Sequence, residues 1–179
     1  MNKSIELPQL TIKALQDGAS IMIVPCKVEC MALKGDIPCA LTLEQKAVPL
    51  IEFAPLQPQD KDVFVKEEFQ DNGYTGLIYK TDIAQDCFLD KDWQSASEMT
   101  KEQSRFSIDV EDARVVRVQD IEYYDGFGIS CPCLSEFLIW FNKLMEEYNE
   151  GVKYEDNPYV FLYDAKVTTK EFYKETKDK

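Results

Sequence analysis

The chain has 179 residues, 45% of them hydrophobic and 12% aromatic, which is enough for one globular domain with a sizeable core and too few for two. Its net charge of −13 works against nonspecific binding to phosphate backbones, because affinity of that kind comes from Lys and Arg displacing counterions. Histidine is absent, which excludes Ser-His-Asp and Cys-His catalysis and imidazole-based zinc chemistry and leaves any acid-base work to Asp, Glu, Lys, Tyr or Cys.

The opening Met1-Asn2-Lys3-Ser4-Ile5-Glu6-Leu7-Pro8 lacks the apolar core of a secretion signal, and no window is apolar enough to span a bilayer. The expectation is a soluble, cytoplasmic protein. Residues 9–17 carry Leu10, Ala14 and Leu15 on one side and predict a short helix, with Gly18 as its stop. Ile21-Met22-Ile23-Val24 predicts a strand that is interrupted at Pro25. Residues 31–60, with Gly35, Pro38, Pro49, Pro55 and Pro58, predict a long irregular connection lying over the sheet. A strand is expected over 62–69 and another over 74–80, joined through the turn signal Asp71-Asn72-Gly73, with a polar segment around Trp93 after them.

In the run from Ser104 to Val110, Phe106, Ile108 and Val110 alternate with Arg105, Ser107 and Asp109, the period of a half-buried strand. Residues 113–121, rich in Val, suggest a strand buried on both faces. With only Glu111 and Asp112 between them, the sequence predicts a tight hairpin. Residues 134–148 form the clearest helix, with Leu134, Phe137, Leu138, Phe141, Leu144, Met145 and Tyr148 at three-four spacing. Ile139 and Trp140 widen its apolar side, which suits a possible protein partner on this helix. A last strand is expected over 159–167, followed by a charged tail over 168–179. The fold class is α+β, one domain over residues 1–167. The six cysteines (Cys26, Cys30, Cys39, Cys87, Cys131 and Cys133) suggest reduced thiols. Cys26 and Cys30, roughly 13 Å apart if extended, could not share an ion, and Cys131-Pro132-Cys133 lacks the spacer of zinc sites, so neither metal nor cofactor is expected.

Separated phrases stand in a particular order: Pro58-Gln59-Asp60, then Val63-Phe64-Val65-Lys66-Glu67, the lone Trp93, Ser104-Arg105-Phe106, the run Val115-Val116-Arg117-Val118-Gln119-Asp120-Ile121, and Asn157-Pro158-Tyr159-Val160-Phe161. Taken together they resemble the ASCH/PUA-like domain family, in the form common in phages and prophages. The resemblance implies a small PUA-like β-barrel with a short N-terminal helix and one long amphipathic helix. It also implies a cleft near the first helix and the strand after it, and an ancestral theme of RNA or modified-nucleoside recognition. Some small relatives resemble amidohydrolases that remove the acetyl group of acetylcytidine with a Lys, a Thr and a Glu. Here Ser20, Ile23 and Phe127 stand at those places, so the resemblance implies the fold without that chemistry.

The leading expectation is therefore a non-catalytic module for a nucleotide, a nucleobase or a short RNA. Its candidate ligand contacts are Ser20, Lys27, Lys66, Glu67, Trp93, Arg105 and Asp125. Tyr123, Tyr124 and Phe127 join Trp93 as rings that could stack on a base. The bland alternatives are solvated charges at Lys66 and Glu67, core packing for the aromatics, and ion pairs from Arg105, Arg114 and Arg117 to Asp109, Glu111 and Asp112. The rival expectation is a diverged nucleoside amidohydrolase or nuclease using Ser20, Lys27, Glu67 or Asp125, and a further one is a protein-protein interaction module.

Overall fold

Two long antiparallel strands at the centre of one sheet organise the molecule. The structure, a computed structural model, describes residues 3–27, 32–71, 76–83, 92–121, 127, 133–148 and 151–170. In chain order the strands are β1 (Ser4–Glu6), β2 (Ile21–Pro25), β3 (Ala32–Lys34), β4 (Ile37–Leu41), β5 (Ala47–Pro49), β6 (Val63–Lys66), β7 (Phe69–Asp71), β8 (Leu77–Tyr79), β9 (Phe106–Arg117) and β10 (Tyr159–Thr169). The helices are α1 (Gln9–Gln16) and α2 (Leu134–Glu147). The fold is mixed α+β, as the sequence predicts. The main sheet has the order β1-β6-β9-β10-β2, with β1 parallel to β6 and the other pairs antiparallel.

The expected hairpin at Glu111-Asp112 is not formed. Residues 106–117 are one continuous strand along β10, and the register slips between Asp164 and Ala165, where Val110 opposes Ala165 and Asp112 opposes Asp164. Glu111 is thus the extra residue of a β-bulge. The slip moves the inward set by one residue, so Phe106, Ile108 and Val110 before it and Ala113 and Val115 after it face the same core. In the sequence this break in phase mimics a chain reversal. Neither Glu nor Asp at these positions supplies the Gly or Asn that a two-residue hairpin favours.

The alternating side chains serve two cores. Met22, Val24, Phe161 and Tyr163 face one with Ile12 and Leu15 of α1, while Ile23, Val160 and Leu162 face the other with Phe137, Phe141 and Leu144 of α2. Gly18 ends α1 at φ 93°, a backbone conformation open to glycine, and Ala19 N donates to Ala14 O at 2.9 Å. The sequence-predicted face of α2 is narrower than its pattern. Leu134 and Ile139 remain about half exposed, and Trp140 packs with its ring 5.6 Å from that of Phe127.

Residues 32–49 are not irregular. They form a three-stranded antiparallel sheet, β3-β4-β5, with Gly35 and Asp36 as a two-residue turn between Lys34 and Ile37. The predicted strand over 62–69 breaks after Lys66, and Phe69 begins a separate two-stranded arm with β8. Residues 72–75, at the predicted turn, lie outside the described residues. β10 continues through Thr169, two residues beyond the expected domain end.

Among the described residues no strand pairing joins β1 to β2, so the main sheet is open. It is nevertheless curled: Ile5 and Glu6 of β1 and Val24 and Pro25 of β2, from opposite edges, line one apolar depression of about 300 Å³. Asp60 helps hold the β1 edge, accepting from Lys3 Nζ at 2.5 Å and from Gln57 N at 2.6 Å.

The bulge gives a direct test of the packing. Deleting Glu111 throws one half of β9 out of phase and is expected to cost about 3 kcal/mol or more, whereas Glu111→Ala should stay within about 0.5 kcal/mol of wild type. Urea denaturation of both variants reads this, and equal stabilities would refute the assignment.

Candidate functional site

The best-defined polar constellation lies where β6 ends and β9 begins. Ser104, fully buried, places its Oγ 2.7 Å from Val65 O and 2.8 Å from Phe106 O, which locks the entry of β9 against β6. Next to it Arg105 points across to Glu67, which is 2% exposed. Arg105 Nε donates to Glu67 Oε1 at 2.7 Å and Nη2 to Glu67 Oε2 at 2.8 Å, a two-point fork onto the carboxylate. Nη1 donates to both oxygens of Asp82 at 2.8 Å, and Nη2 donates a second time to Thr81 Oγ1 at 2.5 Å. All three guanidinium nitrogens therefore donate within the protein.

Thr81 and Asp82 come from the short 3-10 turn Lys80–Asp82 that follows β8. Thr81 Oγ1 in turn donates to Glu67 Oε2 at 2.7 Å. Gln16, at the end of α1, donates its side-chain amide to Asp82 Oδ1 at 2.7 Å. The Tyr79 ring stacks beneath the guanidinium at 4.2 Å, and the Tyr79 hydroxyl donates to Gln103 O at 2.7 Å. Burial works to lower the Arg105 pKa, but the hydrogen bond and charge of Glu67, and then those of Asp82, outweigh it and hold the pKa above its usual value. Burial, followed by the Glu67 charge, pushes the Tyr79 phenol up.

Beside this network is a cleft of about 380 Å³. Its lining combines the apolar Leu7, Pro8, Ile12 and Ala96 with the polar Glu67, Glu68, Lys80, Thr81 and Glu147. Lys80 is paired with Glu68 at 2.5 Å. Glu147, at the end of α2, accepts from Leu10 N at 2.9 Å and so caps α1, whose own N-cap residue Pro8 has no side chain to do it.

The sequence-predicted contacts do not all converge here. Glu67 lines the cleft, the alternative of a solvated Glu67 is overturned by its burial, and the partners of Arg105 are Glu67 and Asp82 rather than the acids of β9. Lys66 donates to Ser97 O at 2.9 Å, and its ammonium lies 5.8 Å from the centre of the Phe64 ring. Ser20 is exposed and lines a different depression with Leu15, Glu111 and Thr169. Lys27 sits at the rim of the depression between the sheet edges. Trp93 is half-buried next to Gln94, which bridges to Phe69. Phe127 is fully buried against Phe137 and Trp140 and is unavailable for stacking on a base. Asp125, Tyr123 and Tyr124 lie outside the described residues. Arg114 pairs with Asp112 and Asp164, while Arg117 stacks on Tyr159 and donates to Asn157 O.

Thr81, Asp82, Tyr79, Ala96 and Glu147 carry no local signal that would have singled them out, since each joins the site through long-range contacts. Among the described residues no group of three or more metal-ligating side chains forms, and no helix is long and apolar enough to cross a membrane. No family model matches the chain, and neither the curated proteins nor the solved structures supply a match.

Two outcomes test this site. Arg105→Ala leaves the Glu67 carboxylate buried without its counter-charge and should cost about 3–5 kcal/mol in chemical denaturation. Arg105→Lys, which cannot rebuild the fork, should recover only part of that loss, and full recovery would show that charge alone suffices. Glu147 tests the helix cap. Burial raises its pKa above the ordinary 4.5, partly offset by the backbone N–H groups of Leu10 and Gln9. A folded-state value above the unfolded one means that the folded state binds the proton more tightly. The contribution of Glu147 to stability is therefore largest below 4.5 and falls as pH rises through the folded value. Glu147→Gln keeps an acceptor for Leu10 N but does not titrate, so its stability relative to wild type should be higher at about pH 7 than at about pH 4. A pH-independent difference would contradict the shift.

Proposed function

We propose that the protein is a non-catalytic binding module related to the ASCH/PUA-like domains, with the cleft beside Glu67 as its site for a nucleobase, a nucleotide or the end of a short RNA. The observation that carries this reading is a cleft of about 380 Å³ lined by both apolar residues, Leu7, Pro8 and Ile12, and polar ones, Glu67 and Thr81, with the Glu67 carboxylate held in one orientation by Arg105 and Thr81. A concave site that combines apolar side chains with a few placed polar groups is the usual construction of a small-ligand site. The curl of the five-stranded sheet, whose two edges meet across one depression, supports kinship with a small barrel.

The enzymatic alternative draws less support. A carboxylate engaged in a guanidinium fork and accepting from Thr81 is poorly suited to collecting a proton from a substrate. Ser20, one of the residues that alternative could use, lines a separate depression and has no histidine to activate it.

Ala96 offers a clean test, because it borders the cleft without touching the Arg105 network. Calorimetric titration with nucleosides, their 5′-monophosphates and a short single-stranded RNA should detect binding to wild type. Ala96→Phe should abolish that binding while leaving thermal stability close to wild type. Absence of binding to every probe, or binding unaffected by Ala96→Phe, would overturn the assignment.

A further inference from the structure

The depression between the two edges of the main sheet differs in chemistry from the cleft beside Glu67, and the two share no lining residue. Its volume is about 300 Å³. Ile5, Val24 and Phe161 line it and also belong to the core inside the curl of the sheet, so the apolar interior reaches the surface here. Phe53 and Pro55 add to that lining from outside the core, and Phe53 remains 43% exposed, a large ring left in contact with water. Among the described residues that line the depression, the charged ones are Glu6 and Lys27, one of each sign. The lining therefore carries no net formal charge, whereas the chain as a whole carries −13.

These features separate the occupants that such a hollow can take. A concave apolar surface at the mouth of a curled sheet suits a small apolar molecule. An apolar cavity of about 150 Å³ holds one benzene ring, so twice that volume holds roughly two fused rings. An added peptide strand fits less well. At the depression β2 carries Pro25, which has no N–H to donate, and β1 is three residues long and ends on the charged Glu6. Short edges that bear a charge or a proline are built against strand addition. A second copy of the chain brings a further −13, which opposes association, and an anionic ligand meets the same field.

We infer that this depression is a second binding site, for a neutral apolar molecule of about two fused rings. It stands apart from the proposed nucleoside cleft, so failure of nucleosides to bind leaves it untouched.

The test titrates the full chain with N-phenyl-1-naphthylamine, a neutral dye that brightens in apolar surroundings and whose naphthyl group has the required size, and then displaces it with naphthalene. Saturable binding is expected, together with a rise in the thermal unfolding midpoint, which shows that the dye prefers the folded chain. The anionic counterpart 8-anilinonaphthalene-1-sulfonate should bind at least about ten-fold more weakly. Phe53→Ala, at an exposed position, should weaken the neutral dye by about ten-fold or more without loss of folding, and Ala96→Phe, in the other cleft, should leave it unchanged. Absence of saturable binding to wild type, affinity unchanged by Phe53→Ala, or equal affinity for the two dyes would overturn the inference. Sedimentation showing a dimer that Phe53→Asp dissociates would also overturn it, because a second copy would then occupy the depression.

Discussion

A buried guanidinium with all three nitrogens bonded inside the protein is the constraint around which the rest of the molecule is arranged. Arg105 sits at the start of β9, Glu67 just beyond the end of β6, Thr81 and Asp82 in the turn after β8, and Gln16 at the end of α1. Five N–H vectors in one plane accept very few arrangements of partners. The ion pair therefore ties the two-stranded arm to the main sheet and to α1. Its energetic role is largely conditional: once Glu67 is buried, leaving it unpaired is expensive, although a well-packed apolar replacement of the whole group could be as stable. The polar network earns its place through specificity of arrangement, which is also what a binding wall requires.

The helices follow the same logic of borrowed contacts. α1 starts without a local cap and takes one from Glu147 in α2, while its other end is fastened through Gln16 to Asp82. Glu147 also borders the cleft, as do Gln9 and Ile12 of α1. The two cores divide the labour: one packs α1 within the curl of the sheet, and the other seats α2 on its outside.

Much of this was legible in the sequence where the signal is local. The spacing of Leu10, Ala14 and Leu15 with Gly18 after them, the β-branched run at 21–24, the stripe on α2 and the strand from Tyr159 all correspond to observed elements. Three kinds of feature were not legible. β1, β3 and β5 are three residues each, shorter than any periodic pattern can register. The bulge at Glu111 changes the phase of alternation without changing the direction of the chain, and a one-dimensional pattern gives both events the same appearance. The site is long-range: Arg105 and Glu67 each stood out as charged residues in apolar strands, but 38 positions separate them, and only the pairing of β6 with β9 brings them together. Thr81 and Glu147 had no distinguishing context at all, because their importance is conferred by what packs against them.

The position of β10 has a consequence for the life of the chain. It is the last strand in chain order among the described residues, yet it lies next to the middle of the sheet, between β9 and β2. During synthesis β2 therefore emerges early with Met22 and Val24 turned toward a core whose other wall does not yet exist, and among the described residues its strand partner is β10. Such an order makes native structure cooperative and late-forming: loop closure between the first and last segments must come before most of the apolar burial that rewards it. Until residues 159–169 have been made, β2 lacks that partner, and the abundance of acidic residues, which discourages association between unfinished copies, suits that interval.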